Sequence, residues 1–442
     1  MSALRPSIYT TITIKGSDGK TVDIRPAAVS VDFFEDVLCP SMSAKIFIAA
    51  AGGVINDSKG DKTGLYSGLK LRGGESVQIR IEPNTSYGEP IDLTMYVRNI
   101  TDIVRDTDKE FFTINLISRE AFEDQTIFLK KMYPKDVRIS DHAQTIIDDS
   151  FANATVKKID PTLNQLGFQG NQRHPMETLV NLASKSVSQE TGTSSAGYFF
   201  WQTREGFSFR SIDALMGEKP KANYFYTEVN YSSLTDEFKP TPDLPSLDFK
   251  IIKYNVNRNQ DLIDKLAKGA YATDRRFFDP RSFKVSSPKD AFTGDKYIGG
   301  VKNLGERFDT NSLKLVDATK SFTEAPSRIL TEVIDYGTIS KDVDTELTKD
   351  LRQYFSQRKM RYNTLFTQDI TMQLPLNTTI HAGDIIKCKF PKVQTGGRDE
   401  IDEDQLSGLY MVKEVRHHFD PKISATAVRI VRDTFGLYGV NT

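Results

Sequence analysis

Apolar and polar positions alternate along the first quarter of the chain. In "SIYTTITIKGSDGKTVDI" the alternation runs through Ile8, Ile12 and Ile14, Asp18-Gly19 supplies a turn, and Val22 and Ile24 resume it. That pattern predicts a β-hairpin. "VSVDFF" places Val29, Val31 and Phe33 on one face, and "SMSAKIFI" does the same with Met42, Ala44, Ile46 and Ile48. "GGESVQIRIE", "LTMYVRNITDIV" and "FFTINLIS" carry the pattern to about residue 122. Many short alternating strands at regular spacing predict a sandwich or a closed antiparallel barrel.

The period changes after Phe122. "SDHAQTIIDDSF" predicts a short helix capped by Ser140 or Asp141. "HPMETLVNLASKSV" puts Pro175 in a first turn, where proline is tolerated, with Leu179, Leu182 and Ala183 at helical spacing. "EKPKANYF" and "KPTPDLPSLD" are proline-rich and read as domain edges. "LDFKIIKYNV" predicts a strand from Leu247, and "NQDLIDKLAKGAYA" a helix with Leu262, Ile263, Leu266 and Ala270 on one side. Residues 273–340 are polar and rich in turns. "TELTKDLRQYFSQRKMRYN" predicts an amphipathic helix with Leu347, Leu351, Phe355 and Tyr362 as its apolar stripe. Its Lys349, Arg352 and Lys359 are interspersed with Glu346 and Asp350, so the basic positions read as a solvated face rather than a DNA contact. The chain closes with strands in "LFTQDITMQL", "AGDIIKCKF", "LYMVKEVRHHF" and "SATAVRIVR".

"GYFFWQTREGFSFRS" contains the only tryptophan, Trp201, among Tyr198, Phe199, Phe200, Phe207 and Phe209. Alternation puts Phe199 and Trp201 on one face and Tyr198 and Phe200 on the other. "TREG" then turns the chain, with Gly206 free to take a positive φ. Phe207 and Phe209 share a face opposite Ser208 and Arg210, which predicts a fully buried first strand beside a more exposed second one. A stacking platform for sugars or bases interleaves its aromatics with polar contacts, and here only Gln202, Arg204 and Arg210 offer any. A packed core is the favoured reading.

With 38% hydrophobic and 26% charged residues the chain is globular rather than disordered. Its net charge of -1 gives no global attraction to nucleic acid or to an anionic membrane. Two cysteines, Cys39 and Cys388, exclude a disulfide framework and fit assembly in a reducing compartment. No apolar run reaches membrane-span length and no signal core opens the chain, so a soluble protein without membrane insertion is expected. The histidines, His142, His174, His381, His417 and His418, are not spaced to chelate one ion and read as surface or half-buried residues; His417 and His418 would point to opposite faces of a strand. Gly60-Asp61-Lys62-Thr63 lacks the glycine a phosphate loop places directly before its lysine. Asp399, Asp402 and Asp404 lack calcium-loop spacing, and no G-x-S-x-G elbow exists. No catalytic, cofactor-binding or metal-binding residue is assigned, and no cofactor is expected.

An internal repeat carries more information. "GGESVQIRI" from Gly73 matches "AGDIIKCKF" from Ala382, a small residue, glycine, an acid and alternating apolar residues. Each is followed in the same order by a strand, a turn and a strand, ending in Leu116-Ile117-Ser118-Arg119 in one case and Ile430-Val431-Arg432 in the other. The repeat aligns the strand Val77–Ile81 with Ile386–Phe390, Glu75 with Asp384, and Tyr96-Val97 with Met411-Val412.

In "YFFWQTREGFSFRSIDALM", "LISREAFED", "NRNQDLIDKLAKGAY" and "GLYMVKEVRHHF" the chain resembles the central baseplate hub proteins of T-even-like contractile-tailed bacteriophages. The resemblance runs in order along most of the chain and is poorest between about Pro280 and Asp342. It implies a mainly β fold with α+β elements: two related antiparallel β-barrel, tail-tube-like domains, the second interrupted by an insertion, and a mixed α/β domain between them. The corresponding boundaries are residues 1–122 for the first barrel and 123–220 for the mixed domain. The second barrel takes 221–256 and 363–435, the inserted helical domain 257–362, and a tail 436–442. The implied role is a homotrimeric hollow adapter without enzyme chemistry. It would join the sixfold tail tube or its initiator proteins to the trimeric cell-puncturing spike protein in the virion baseplate. Baseplate wedge proteins are further implied partners, DNA passes through the bore without specific binding, and assembly takes place in the host bacterial cytoplasm. Two alternatives stand beside it, a phage-associated cell-wall glycan hydrolase and a β-rich carbohydrate-binding module.

Overall fold

The structure is a computed structural model. It describes residues 4–16, 19–51, 55–56, 62–85, 88–106, 109–189, 196–226, 246–258, 261–286, 302–305, 314–316, 320–321, 325–333, 345–392 and 405–434. The protein is mainly β, and a 13-stranded sheet runs through both ends of the chain.

Two five-strand ladders make up most of that sheet. The N-terminal one uses, in chain order, Ala28–Asp36, Ser43–Ala51, Ser76–Pro83, Ile91–Arg105 and Lys109–Ile117. The C-terminal one uses Lys253–Arg258, Gln368–Pro375, Ile385–Lys389, Gly408–Phe419 and Ala425–Arg432. Each set pairs in space in the same order: first, second, fifth, fourth, third. The register also repeats. Phe33 lies opposite Ala44, Ala44 opposite Leu116, and Leu116 opposite Val97. In the other ladder Val256 lies opposite Ile370, Ile370 opposite Ile430, and Ile430 opposite Val412. Ser76 faces Tyr96 as Ile385 faces Met411. Even the β-bulge repeats, between Val97 and Asn99 and between Val412 and Glu414. A one-residue slip would move an entire buried set to solvent, so a shared register means the same inward faces.

The turn ahead of the third strand explains the shared sequence. Gly74 N–H donates to Val97 O at 2.7 Å, and Gly383 N–H donates to Val412 O at 2.8 Å. Both glycines have positive φ, +89° and +95°, where any other residue is strained. The acid that follows closes the turn with its own carboxylate. Glu75 accepts from the N–H groups of Arg72 and Gly73, and Asp384 accepts from the N–H of His381 at 2.8 Å.

Between the ladders, helices Ile139–Ser150 and Pro175–Lys185 share a core with the hairpin Tyr198–Thr203/Gly206–Ser211. The hairpin belongs to a three-stranded sheet in which Gly206–Ser211 is central, with Val156–Ile159 parallel on its far side. The second hairpin strand is therefore as buried as the first, contrary to the sequence expectation. Arg210 goes inside because Asp160 and Glu218 neutralise it, at 3.3 and 2.6 Å. Gly206 does take a positive φ, and a Cβ there would stand 2.4 Å from Thr155 O.

Other local expectations shift in physically simple ways. Val29 leaves the inward face because a bulge between Ala28 and Ser30 reverses the alternation. The first mixed-domain helix begins at Ile139 behind Arg138, with no side-chain cap from Ser140 or Asp141. Ala222–Phe225, within a segment read as a domain edge, is a strand parallel to Ile385–Lys389. "LDFKIIKYNV" splits into a 3-10 turn at Ser246–Phe249 and the strand from Lys253. The helix Leu262–Ala267 turns Ile263 outward and buries Lys265, whose Nζ donates to Thr367 Oγ1 at 3.0 Å. The polar stretch after residue 273 contains a small sheet of Thr273–Asp279, Lys284–Ser286 and Arg328–Val333. The long helix is Thr345–Thr364, and Leu347, Lys349, Leu351 and Arg352 have side chains outside the described set. "KPTPDLP" and the tail 436–442 also lie outside the described residues.

Trp201 is a core residue, 2% exposed. It sits with Phe199, Met216, Ile385, Met411 and Val431, so one face of the hairpin belongs to the C-terminal ladder's surroundings while the other belongs to the mixed domain. Its indole Nε1–H donates to Ala382 O at 3.1 Å. Trp201→Ala is expected to lower unfolding free energy by about 3–5 kcal/mol. Chemical denaturation checks this, and a loss below about 1 kcal/mol would place the side chain outside the core.

Candidate functional site

The two ladders meet on one strand. Gly408–Phe419 pairs along one edge with Ala425–Arg432. Its other edge is divided: residues 408–411 pair with Ile385–Lys389, and residues 414–419 pair antiparallel with Asp36 back to Val31 of the N-terminal ladder. Arg416 and His418 reinforce that seam by holding Asp32 at 2.9 and 2.8 Å.

Glu35 sits behind the seam and is 2% exposed. Its carboxylate accepts from Arg204 N–H at 2.9 Å and from Ala382 N–H at 3.1 Å, and it meets His381 Nδ1 at 3.1 Å. Three units of the chain thus converge on one carboxylate: the N-terminal ladder, the Trp201 hairpin and the repeated turn of the C-terminal ladder. Burial pushes the Glu35 carboxyl up, but the His381 hydrogen bond and charge, with the Arg204 N–H, hold it below the usual range. Next to it His417 is 1% exposed, stacks on Phe33 and contacts Thr426 Oγ1 through Nδ1 at 3.0 Å. Burial drives its pKa down to about 4, against the opposing pull of Glu35, so the ring is neutral.

A second node fixes the long helix Thr345–Thr364. Arg361, on the long helix, meets Asp213 at 2.8 Å and Asp433 at 2.7 Å, all three side chains being nearly inaccessible. The helix's basic face is therefore partly a buried joint rather than wholly a solvated one.

The histidines differ from expectation in burial. His142, His381 and His417 are all buried, each satisfied by a carbonyl, carboxylate or hydroxyl. His417 and His418 do point to opposite faces. Among the described residues no group of three or more His, Cys, Asp or Glu could hold a metal ion. Gly60, Asp61, Asp399, Asp402 and Asp404 lie outside the described residues. Cys39 and Cys388 are both free, and Cys388 is buried in the C-terminal core. Among the described residues no helix is long and apolar enough to cross a membrane.

The exposed face of the sheet at the seam is concave, a hollow of about 780 Å³ bordered by Phe34, Lys45, Asn257, Glu414, Arg416 and Arg429. Its two arginines are matched in place, Arg416 with Asp32 and Arg429 with Asp369 and Glu414, while Lys45 lies over the Phe34 ring.

The overall fold is shared with known tail proteins. The structure resembles a tail protein from Neisseria meningitidis MC58, with a TM-score of 0.50 at 10% identity over 97% of both chains. It resembles equally the 43 kDa tail protein of prophage MuSo2 from Shewanella oneidensis, with a TM-score of 0.50 at 9% identity, covering 97% of this chain and 100% of that one. A more distant likeness, TM-score 0.45 at 11% identity, is to a Francisella PdpA-VgrG complex, covering 99% of this chain and 55% of that one. No protein-family model matches the sequence. No curated protein matches it either. The chain thus has the fold of these tail proteins.

The neutral, buried His417 makes stability depend on pH. An unfolded histidine binds its proton near pH 6.5, whereas the folded one resists until about pH 4. The unfolded state therefore holds more protons in that window, and stability falls as pH drops through it, by up to about 3 kcal/mol. Denaturation at pH 7 and pH 4.5 should show a smaller loss for His417→Gln than for the unaltered chain. Equal losses would mean the ring does not titrate as described.

Proposed function

We propose that the chain is a structural baseplate hub of a contractile phage tail. Three copies would form a hollow adapter between the sixfold tail tube and the trimeric cell-puncturing spike, with the genome passing through the bore. The observation that carries this reading is the repeated ladder, with its common strand order, register, bulge and glycine–acid turn. A trimer meets a sixfold ring through equivalent contacts only if each chain offers two similar surfaces. The shared fold with two tail proteins supports it. In this reading each ladder is one tail-tube-like barrel, and the helical segment between Arg258 and Gln368 is an insertion on the outside of the second. The virion baseplate is the proposed location.

We also propose that the chain does no catalysis. Four buried acids are occupied in structural work: Glu35 by its seam, Asp213 and Asp433 by Arg361, and Asp369 by Arg429. No specific observation favours the hydrolase or the carbohydrate-module alternative, since the aromatics of the Trp201 hairpin face two packed interiors.

Native mass measurement on the purified chain, alone and mixed with the spike protein of the same virus, tests the assignment. The expected product is a complex with three copies of the 49.8 kDa chain. A mixture that leaves the chain monomeric would overturn the hub reading, and reproducible clearing of peptidoglycan by the pure chain would overturn the absence of catalysis.

A further inference from the structure

The strand Ser7–Lys15 carries the N-terminal ladder beyond Ser76–Pro83, with Ile12 opposite Ile79 and Ile14 opposite Val77. Its start then returns to the strand at which that ladder began. Ser7 N–H donates to Asp420 O at 3.1 Å, and Ser424 N–H donates to Arg5 O at 2.9 Å. The Ser7 and Ser424 hydroxyls meet at 2.8 Å, and Tyr9 OH donates to Phe419 O at 2.8 Å. Phe419, fully buried, shares one core with Ile12, Val31, Ile46, Val77 and Ile114. The circuit of strands around that core is thus completed by the hairpin end of the C-terminal ladder. Its two joins to that ladder are unequal. Residues 414–419 pair with Asp36–Val31 along their whole length. Residues 420–424 hold the other strand by one isolated bridge and a few hydrogen bonds.

An awkward charge sits at the weaker join. Asp248, in the 3-10 turn Ser246–Phe249, is 4% exposed, yet neither of its carboxylate oxygens has a hydrogen-bond partner. Arg5 stands 3.8 Å away, too far for a hydrogen bond, and its side chain is 33% exposed. Burial pushes the Asp248 carboxyl up, and the opposing charge of Arg5 does not restore it. Closing the join therefore takes an ionised carboxylate out of water against one cation that stays partly hydrated. Desolvation in such a pair exceeds the attraction. Glu35, at the stronger join, has the N–H groups of Arg204 and Ala382 and the ring of His381. Asp248 has none of these.

We propose that residues 4–9 form a clasp that opens as a unit, and that the buried Asp248 carboxylate weakens its closed form. In the open form Arg5 and Ser7 leave residues 420–424 and Asp248 reaches water, while Phe419 stays paired with Val31. The circuit then parts at one defined place without unfolding of either ladder. A stabilising ion pair would have the opposite sign, since removing the acid would loosen the join. The inference concerns the chain's own strands and does not rest on the hub reading.

Hydrogen exchange on the full chain, followed by mass spectrometry and corrected for intrinsic rates, tests the clasp. Peptides containing Ser7 and Ser424 are expected to exchange at a common rate at pH 7, faster than seam peptides from 31–36 and 414–418. Asp248→Asn keeps the shape and removes the charge, and should slow both clasp peptides by about fivefold or more while leaving the seam unchanged. An unchanged or faster rate in Asp248→Asn would overturn the role of the carboxylate. Separate rates at Ser7 and Ser424, or rates no faster than the seam, would overturn the clasp itself. A linked variant guards against a misfolded substitution. The Ser7 and Ser424 hydroxyls already touch, so Ser7→Cys with Ser424→Cys in a Cys39→Ser background can be joined by a disulfide. Oxidation should slow both clasp peptides to the rate of the seam and reduction should restore their exchange. Exchange that is indifferent to the link would also reject the opening.

Discussion

The strand Gly408–Phe419 cannot serve its own ladder along its full length, and the rest of the architecture depends on that constraint. Its partner Ile385–Lys389 ends at the bulge, so the backbone of residues 414–419 needs donors and acceptors from elsewhere. The N-terminal ladder supplies them with Ala28–Asp36, and two separate sheets become one. The join then buries the carboxylate at position 35, because alternation already points Val31, Phe33 and Glu35 the same way. A carboxylate at a core position is costly unless it is fully hydrogen-bonded. Here the N–H groups of Arg204 and Ala382 and the ring of His381 provide that bonding. The acid thereby specifies how the third unit docks, since Arg204 and the repeated turn must both reach it.

The same turn couples packing to the repeat. Gly383 has no side chain, and a Cβ there would stand 2.6 Å from Trp201 Cζ2. In the N-terminal ladder a Cβ on the equivalent Gly74 would meet nothing within 4 Å. Glycine is therefore required at both positions by backbone conformation, and at Gly383 also by the indole. The mixed domain has used one copy of a repeated turn as its docking pocket and left the other open. Two ladders of common topology have become different through what was placed against them.

Much of the ladder structure was legible in the sequence because strands with one buried face alternate with period two. Met42, Ala44, Ile46 and Ile48 all point inward as alternation demands. The glycine–acid turns stood out because a positive φ and a carboxylate closure restrict residue type. What escaped was tertiary. Val29 was misplaced by a bulge that leaves no mark in composition. Arg210 was read onto the more exposed strand and Arg361 was not singled out, since their partners Asp160, Asp213 and Asp433 are distant in sequence. Glu35 left a faint signal, an acid on the inward face after Val31 and Phe33, though nothing local distinguished it from a strand end.

The charge pattern along the concave face follows from the same seam. Ladder pairing sets Arg416 beside Asp32 and Arg429 beside Asp369, so each cation is already held by a carboxylate on a neighbouring strand. In each pair the arginine is exposed and the carboxylate covered, so solvent still screens the attraction. Their consequence lies in the field they leave: opposite charges a few ångströms apart largely cancel beyond a Debye length, roughly 8–10 Å at physiological ionic strength. The pairing of Arg416 and Arg429 thus comes from strand register rather than from a scarcity of charge.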